Sequence, residues 1–151
     1  MKQNQTVLIT GCSTGIGRAL ALAFHEAGHR VFASARKIET LAELRERGMT
    51  ALALDVTDGA SIDAAINEMF AQTDRLNMLI NNAGFGQAGA FEDIPLEHWR
   101  RQFEVNLFGL IEVPRRVLPG MRERRSGRII NVSSVGAHVV VPFLGDYAAP
   151  Q

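Results

Sequence analysis

A glycine-rich segment near the amino terminus, Thr10-Gly-Cys-Ser-Thr-Gly-Ile-Gly17, constrains the fold more than any other part of the chain. It follows Thr6-Val-Leu-Ile9, a short apolar run typical of a buried strand, and precedes residues 18–27, whose Ala and Leu content favours a helix. Glycines at a strand-to-helix turn let an anion approach the free N–H groups and the positive dipole end of the helix. The segment therefore predicts a phosphate-binding turn. A plain glycine-rich turn is the alternative, since the spacing differs from G-x-G-x-x-G.

Apolar runs and amphipathic stretches alternate through the rest of the chain. Further strands are predicted at 30–36, 51–56, 76–80 and 128–134, with helices between them. One long helix is expected from about Pro95 to Arg125, and the prolines within it should kink it or loosen its end. Strands that alternate with helices make βαβ units and a parallel sheet covered on both faces. The sequence therefore predicts one α/β domain over residues 1–151, doubly wound and three layers thick.

Polar residues stand where several predicted strands end. Ligands of parallel α/β sheets bind beyond the carboxyl ends of the strands. The candidate site therefore draws on Thr10, Arg36, Asp55, Asn81, Asn82, Ser133 and Ser134.

Composition limits the function classes. The 151 residues carry 16 basic and 16 acidic side chains, and a chain without a basic excess is not expected to bind nucleic acid. Cys12 is the only cysteine, which excludes an internal disulfide and favours a reducing compartment. No apolar run is long enough for a membrane span or a signal peptide, so we expect a cytoplasmic protein.

Two local patterns, a match to a zinc motif and a cluster of arginines, are not interpreted as ligand-binding sites. His25-Glu-Ala-Gly-His29 matches the zinc motif H-E-x-x-H, but Gly28 should end the helix before His29, so no metal site is predicted. The arginines between 122 and 128 follow a helix end, where cations oppose the negative end of the dipole and face solvent.

Several motifs together resemble the short-chain dehydrogenase/reductase family. They are the glycine segment in its T-G-x-x-x-G-x-G form, Asp55-Val56, Asn81-Asn-Ala-Gly84, Asn106, Ser134 and Tyr147, in the family's order and at its spacing over the whole chain. The resemblance implies a Rossmann-like sheet, of which this chain would hold the amino-terminal five strands. It also implies hydride transfer between a nicotinamide cofactor and an alcohol or carbonyl substrate.

The resemblance assigns roles around the nucleotide. The glycines would form the pyrophosphate turn, Asp55 would accept a hydrogen bond from the adenine amino group beside Val56, and Asn82 to Gly84 would line the ribose side. An unliganded turn is the alternative for the Asn and Gly residues. The implied cofactor-binding positions are Thr10, Gly11, Ser13, Thr14, Gly15, Ile16, Gly17, Arg36, Asp55, Val56, Asn82, Ala83 and Gly84.

Arg36 bears on the choice of nucleotide. It stands at the end of the second predicted strand, where an NAD enzyme would carry an acid for the ribose hydroxyls. A guanidinium instead pairs with a 2′-phosphate, so NADP is expected, with Lys37 as a second contact and NAD still possible. An exposed basic pair at the start of a loop is the alternative.

The resemblance also assigns the catalytic positions. Tyr147 would exchange a proton at the carbonyl oxygen, and Ser134, chosen over Ser133 by its spacing from Tyr147, would polarise that oxygen. Asn106 would help to hold the family's active-site lysine through water. That lysine follows the tyrosine by four residues, and Gln151 stands there instead, as the last residue of the chain. An uncharged amide cannot stabilise a tyrosinate by Coulomb attraction.

Three hypotheses follow. The first is an NADP-preferring oxidoreductase for a hydrophobic alcohol or ketone, with residues 85–91 and 139–144 bordering an apolar pocket. The second is a truncated, catalytically inactive remnant that at most binds nucleotide. The third is a partner-binding module whose exposed strand-five edge pairs with another chain. A homo-oligomer is expected only for a full-length relative.

Overall fold

Five parallel strands form one sheet in the order β3-β2-β1-β4-β5. The computed structural model describes residues 4–139 and 141–151. The strands are β1 (Thr6–Ile9), β2 (Arg30–Ala35), β3 (Thr50–Ala53), β4 (Met78–Asn81) and β5 (Arg128–Asn131).

Helices connect the strands and cover the sheet. They are α1 (Gly15–Glu26), α2 (Ala42–Glu46), α3 (Gly59–Phe70), α4 (Leu96–Phe103), α5 (Gly109–Glu123) and α6 (Gly145–Ala148). Short 3₁₀ turns span Ile38–Leu41 and Val135–Ala137, and a π-helical turn, Glu104–Phe108, joins α4 to α5.

The central strand β1 is buried on both faces, so side chains of alternating direction enter two separate cores. Leu8 packs in a cluster with apolar residues of α3 and α5, among them Ile62 and Val113. Val7 and Ile9 point the other way, into a cluster that includes residues of α1 and α2. The sheet therefore lies between two helical layers, which confirms the predicted three-layer α/β architecture.

Three strands are shorter than the sequence predicts. β2 ends at Ala35, β3 at Ala53 and β5 at Asn131, where pairing with the neighbouring strand stops. A β-propensity pattern cannot show where a ladder loses its partner. The consequence is functional, because the polar residues beyond these ends lie in loops, free of the sheet's hydrogen bonds.

The predicted long helix is interrupted by the π-helical turn rather than by its prolines, both of which lie inside α5. Pro114 has no N–H to bond the Leu110 carbonyl oxygen one turn earlier. That oxygen instead accepts a hydrogen bond from Asn81 Nδ2 of β4, at 3.3 Å. A contact from the sheet thus offsets the bond that the proline removes.

Candidate functional site

A cleft of about 510 Å³ opens at the carboxyl ends of the strands. Its size is that of an ordinary small-molecule site. Most of the residues predicted for nucleotide binding or catalysis line it; Thr10, Gly17 and Ser134 stand directly behind or beside the lining. The lining comprises Gly11, Ser13, Thr14, Gly15, Ile16, Ala35, Arg36, Leu54, Asp55, Val56, Asn82, Ala83, Gly84, Phe85, Gly86, Val105, Asn106, Leu110, Val132, Ser133, Tyr147, Pro150 and Gln151.

The glycine turn is held in contact with the loop after β4. A Cβ on Gly17 would collide with the Gly11 carbonyl oxygen and with Asn82 Nδ2, and a Cβ on Gly11 would lie 2.8 Å from Ala83 Cα. Gly11 also has φ +73°, a conformation that side-chain-bearing residues rarely adopt. No larger residue fits at these two positions. The helix N-terminus therefore stands open toward the cleft, with Thr14 as its N-cap residue.

Thr10 supports this turn from behind. Its buried hydroxyl oxygen accepts hydrogen bonds from the backbone N–H groups of Asn82 and Ala83, both at 3.0 Å. In return, Asn82 Nδ2 donates to the carbonyl oxygens of Thr10 and Gly11, at 3.0 and 3.1 Å. These four bonds make the ends of β1 and β4 one rigid unit.

Asp55 and Val56 form one wall of the cleft. Asp55 Oδ1 accepts from the backbone N–H and the hydroxyl of Thr57, at 2.9 and 2.7 Å, which leaves the second carboxylate oxygen for a ligand. Val56 is buried against α5, and a Cβ on Gly109 would lie 2.6 Å from Val56 Cγ2. Gly109 thus lets α5 approach this wall closely.

Arg36 lies in the cleft one residue after β2 and is exposed. Its guanidinium makes no ion pair with any residue that the structure describes. The site at the end of β2 is therefore cationic, with charge available to an incoming anion.

Tyr147 occupies the first turn of the short helix α6, which explains how Pro150 is tolerated just beyond the end of that helix. Gly136 lies between this tyrosine and Ser134: a Cβ there would be 3.4 Å from Tyr147 Cε1 and 3.5 Å from Ser134 Oγ. Ser134 Oγ accepts from Gly136 N at 3.1 Å and caps the turn 135–137. Ser134 and Tyr147, the predicted catalytic pair, therefore lie on either side of Gly136.

Ser133 and Gln151 complete this end of the cleft. Ser133 Oγ donates to the Gln151 carbonyl oxygen at 3.2 Å, and both residues belong to the lining. The sequence favoured Ser134 over Ser133 on spacing alone, and the structure places Ser133 in the wall and Ser134 at a turn beside it.

Asn106 lies in the π-helical turn and is buried. Its Oδ1 accepts from Phe85 N at 3.2 Å, and its Nδ2 donates to Phe85 O at 2.9 Å. A single amide thus pairs with both backbone groups of one residue in the loop after β4. π-Helical turns often mark functional sites because they redirect a side chain out of the regular helix.

Sequence reasoning missed two contributors to the site, Gly109 and Gln102. Gly109 carries no local signal, because its small size matters only where α5 meets Val56. Gln102 stands four residues before Asn106, and that spacing on a helix is the signal that could have placed both side chains on one face.

Cys12 lies beneath the glycine turn and is buried, with Sγ donating to the Ile9 carbonyl oxygen at 3.2 Å. Burial raises the pKa of the thiol from 9.0 to about 12. The buried thiol stays protonated at neutral pH, and Cys12 contributes to the packing beneath the turn as a small buried side chain.

Two further features were searched for over the described ranges 4–139 and 141–151. No three His, Cys, Asp or Glu side chains come together there in a way that could hold a metal ion. None of the helices in those ranges has the length and apolar character that crossing a membrane requires.

The sequence of the chain is similar to a known family of proteins and to curated members of it. A family model described as short chain dehydrogenase matches residues 5–150. A 3-ketodihydrosphingosine reductase of Bacteroides thetaiotaomicron is 38% identical over 150 residues, covering 99% of this chain and 54% of the relative. The chain thus spans about half the length of the curated relatives it matches.

Solved structures agree with the sequence match. A short-chain dehydrogenase from Streptomyces avermitilis superposes with a TM-score of 0.93 at 39% identity, over 99% of this chain and 56% of that one. Actinorhodin polyketide ketoreductase, solved with NADPH, gives a TM-score of 0.91 at 35% identity, over 97% and 59% of the two chains.

Proposed function

The chain belongs to the short-chain dehydrogenase family, and on that premise we propose that its cleft binds NADP(H) for hydride transfer between the nucleotide and an alcohol or carbonyl compound. The observation that carries the nucleotide is the glycine turn: neither Gly11 nor Gly17 has room for a Cβ against the loop after β4, and residues 13–16 at the start of α1 line the cleft. A pyrophosphate is an anion of the kind that free N–H groups at a helix N-terminus bind.

Arg36 supports NADP over NAD. Its exposed guanidinium lies in the cleft at the end of β2, and no acidic side chain within 4–139 and 141–151 forms an ion pair with it. Two phosphate oxygens can accept two parallel N–H bonds from one guanidinium. The carboxylate oxygen of Asp55 that Thr57 leaves free is available to an amino group of the adenine.

When bound, the nicotinamide ring donates or accepts the hydride. The chain's own residues would handle the proton: the Tyr147 hydroxyl gives it to, or takes it from, the substrate oxygen, and Ser134 would help to polarise that oxygen. Gln151 brings an uncharged amide to this end of the cleft, so position 151 supplies no positive charge to assist the proton transfer. We therefore expect the chain to bind the nucleotide but to catalyse hydride transfer slowly.

The test of the nucleotide is a fluorescence titration of the full chain with NADPH and with NADH. We expect saturable binding that is tighter for NADPH, and we expect Arg36→Ala to weaken NADPH binding about 10- to 100-fold while NADH changes little. Arg45→Ala, the same charge change at an exposed position of α2, is the matched control. Equal loss for both nucleotides in Arg36→Ala would contradict the NADP assignment.

The substrate is proposed to be a hydrophobic ketone or alcohol. Phe91, Val141 and Phe143 are exposed apolar side chains in the two segments predicted to border the pocket. The Gly89 N–H donates to the Phe143 carbonyl oxygen at 2.8 Å, which joins these two segments. Val140, in the run predicted to border the pocket, lies outside the described residues. A relative that is named a 3-ketodihydrosphingosine reductase is consistent with a long apolar ketone.

Gln151 supports a second candidate, nucleotide binding without turnover. Gln151→Lys separates the two, because a lysine in the cleft would supply the missing cation near Tyr147. NADPH oxidation with an apolar ketone should be at least about tenfold faster in this variant than in the unaltered chain. Unchanged absence of turnover, together with intact NADPH binding, would favour the binding role. The cytoplasmic location, the β5 edge as a partner-binding strand and association between copies stay predictions.

A further inference from the structure

We propose that Gln102 is a positioning residue for the reacting end of the cleft: it fixes the loop Phe85–Gln87 and thereby sets the backbone of Gly86 against the ring of Tyr147. Gln102 is a polar side chain that is fully buried, and it is the one buried residue of α4. The inference rests on the proposed function only in giving Tyr147 the proton-transfer role.

The hydrogen bonds of Gln102 define its amide orientation. In one orientation of the amide, Oε1 accepts from Asn106 Nδ2 at 3.1 Å, but Oε1 then also faces the Phe85 carbonyl oxygen and Nε2 faces the Gln87 N–H group. Exchanging oxygen and nitrogen gives up the bond to Asn106 and forms two bonds to the loop: Nε2 donates to the Phe85 carbonyl oxygen at 2.9 Å and Oε1 accepts from Gln87 N at 3.1 Å. We take this second orientation, which satisfies the loop on both sides. Gln102 therefore bonds the residues on both sides of Gly86.

Two other side chains of the same helical stretch reach this loop. His98, Gln102 and Asn106 follow one another at four-residue intervals, which places them on one face. His98 Nδ1 pairs with Gln87 Nε2 at 2.9 Å, and Asn106 pairs with both backbone groups of Phe85. Among the three, only Gln102 contacts both ends of the loop.

Gly86 transmits this constraint to the tyrosine. A Cβ on Gly86 would lie 3.6 Å from Tyr147 Cδ2 and 3.7 Å from Cε2, so its backbone lies close against the ring. A shift of the loop toward α6 would push the ring, and a shift away would leave it unsupported on that side. Because effective proton transfer requires a hydroxyl held in place, the loop position matters for the chemistry.

The side chain at position 102 must donate one hydrogen bond to Phe85 and accept another from Gln87, and it must be long enough to reach both residues from α4. An amide does both without charge, whereas methionine has the same length and neither capacity. The Phe85 carbonyl oxygen keeps its bond to Asn106 if Gln102 is lost, but Gln87 N would have no partner in the described part of the chain. We therefore expect Gln102→Met to free the loop at Gln87.

The test uses the single tyrosine and the single tryptophan of the chain as reporters. In Gln102→Met, the ring resonances of selectively labelled Tyr147 should shift or broaden, and the Gln87 amide should exchange with solvent at least about tenfold faster. Trp99, on α4 itself, should keep its resonances if the helix remains in place. Arg100→Met is the matched control, since Arg100 is exposed on the same helix.

A change in the Tyr147 and Gln87 signals in Gln102→Met but not in Arg100→Met supports the proposal. Unchanged Tyr147 resonances with a lower melting temperature would overturn it, because Gln102 would then be structural only. A measurement on the unaltered chain guards against a variant that does not fold: if Gln87 N–H exchanges as fast as that of its exposed neighbour Ala88, Gln102 does not hold the loop. None of these readouts requires nucleotide or turnover, so they stand apart from failure of the proposed function.

Discussion

The two ends of the cleft are built in different ways. At the nucleotide end, β1 is the central strand, all four of its residues are buried, and four hydrogen bonds between 10–11 and 82–83 hold the glycine turn. At the reacting end, β5 is the edge strand of the described sheet and three of its four residues are exposed. Tyr147 follows on a four-residue helix.

This difference teaches that binding and chemistry depend on separate parts of the molecule. The nucleotide end is specified by close backbone contacts in the centre of the sheet, where a small change in size is costly. The reacting end depends on loops and side-chain hydrogen bonds near solvent, where local free energies of opening are lower. Substitutions at the nucleotide end should therefore lower stability and nucleotide affinity, whereas substitutions at the reacting end should mainly lower turnover.

The largest effect is expected for Gly17→Ala. Its methyl group would overlap the Gly11 carbonyl oxygen and Asn82 Nδ2, so the turn must open, at a cost of about 3 kcal/mol in unfolding free energy and with loss of NADPH binding. Gly15→Ala is the matched control, because nothing lies within 4 Å of its Cβ position and only its φ of +57° opposes the change. Urea unfolding measures the free energy of unfolding of each variant, and titration measures its affinity for NADPH. Equal losses in the two variants would show that close packing does not specify the turn.

A pair of hydroxyl deletions compares the two ends directly. Thr10→Val removes the acceptor of two backbone N–H groups and should lower the free energy of unfolding by about 2 kcal/mol. Ser134→Ala removes the acceptor of one N–H group near solvent and should cost about 1 kcal/mol. Both are measured by urea unfolding. A larger cost for Ser134→Ala would reverse the comparison.

Cys12 adds a pH dependence at the nucleotide end. Its folded pKa is about 12, above that of the exposed thiol, so at alkaline pH the unfolded chain loses a proton that the folded chain keeps. The corresponding contribution to stability is intact below about pH 9 and is lost at up to about 1.4 kcal/mol per pH unit as pH rises toward 12. Unfolding curves of the unaltered chain and of Cys12→Ala, measured from pH 8 to 10.5, isolate this term. Parallel pH profiles would argue against it.

The smallest effect on nucleotide affinity is expected for Tyr147→Phe. The substitution removes only the hydroxyl at the reacting end, so NADPH affinity should stay within about twofold while any turnover is lost. Fluorescence titration and an assay of NADPH oxidation test the two parts separately. A large loss of affinity would mean that the ends of the cleft are coupled.

Much of the fold was predictable from local patterns. The alternation of apolar strands with helices predicted the parallel sheet, because each pattern has its own period and a parallel strand needs a crossover. The strand ends were less predictable, because Ala53 and Asn131 end their strands where the partner strand stops rather than at a local signal. The π-helical turn was also missed, since no simple sequence period marks it.

The sequence by itself determined the class of this protein and the chemistry available to it. Gly11, Gly15 and Gly17 dictate an open helix N-terminus, Arg36 places a cation after β2, and Tyr147 offers one exchangeable proton. Only the tertiary structure decided how these parts meet. Thr10 supports a turn through a loop 72 residues away, and Gln102 bonds both sides of Gly86 beneath Tyr147. The physical reason is that hydrogen bonds and steric limits act over a few ångströms, between residues that the chain brings together only by folding.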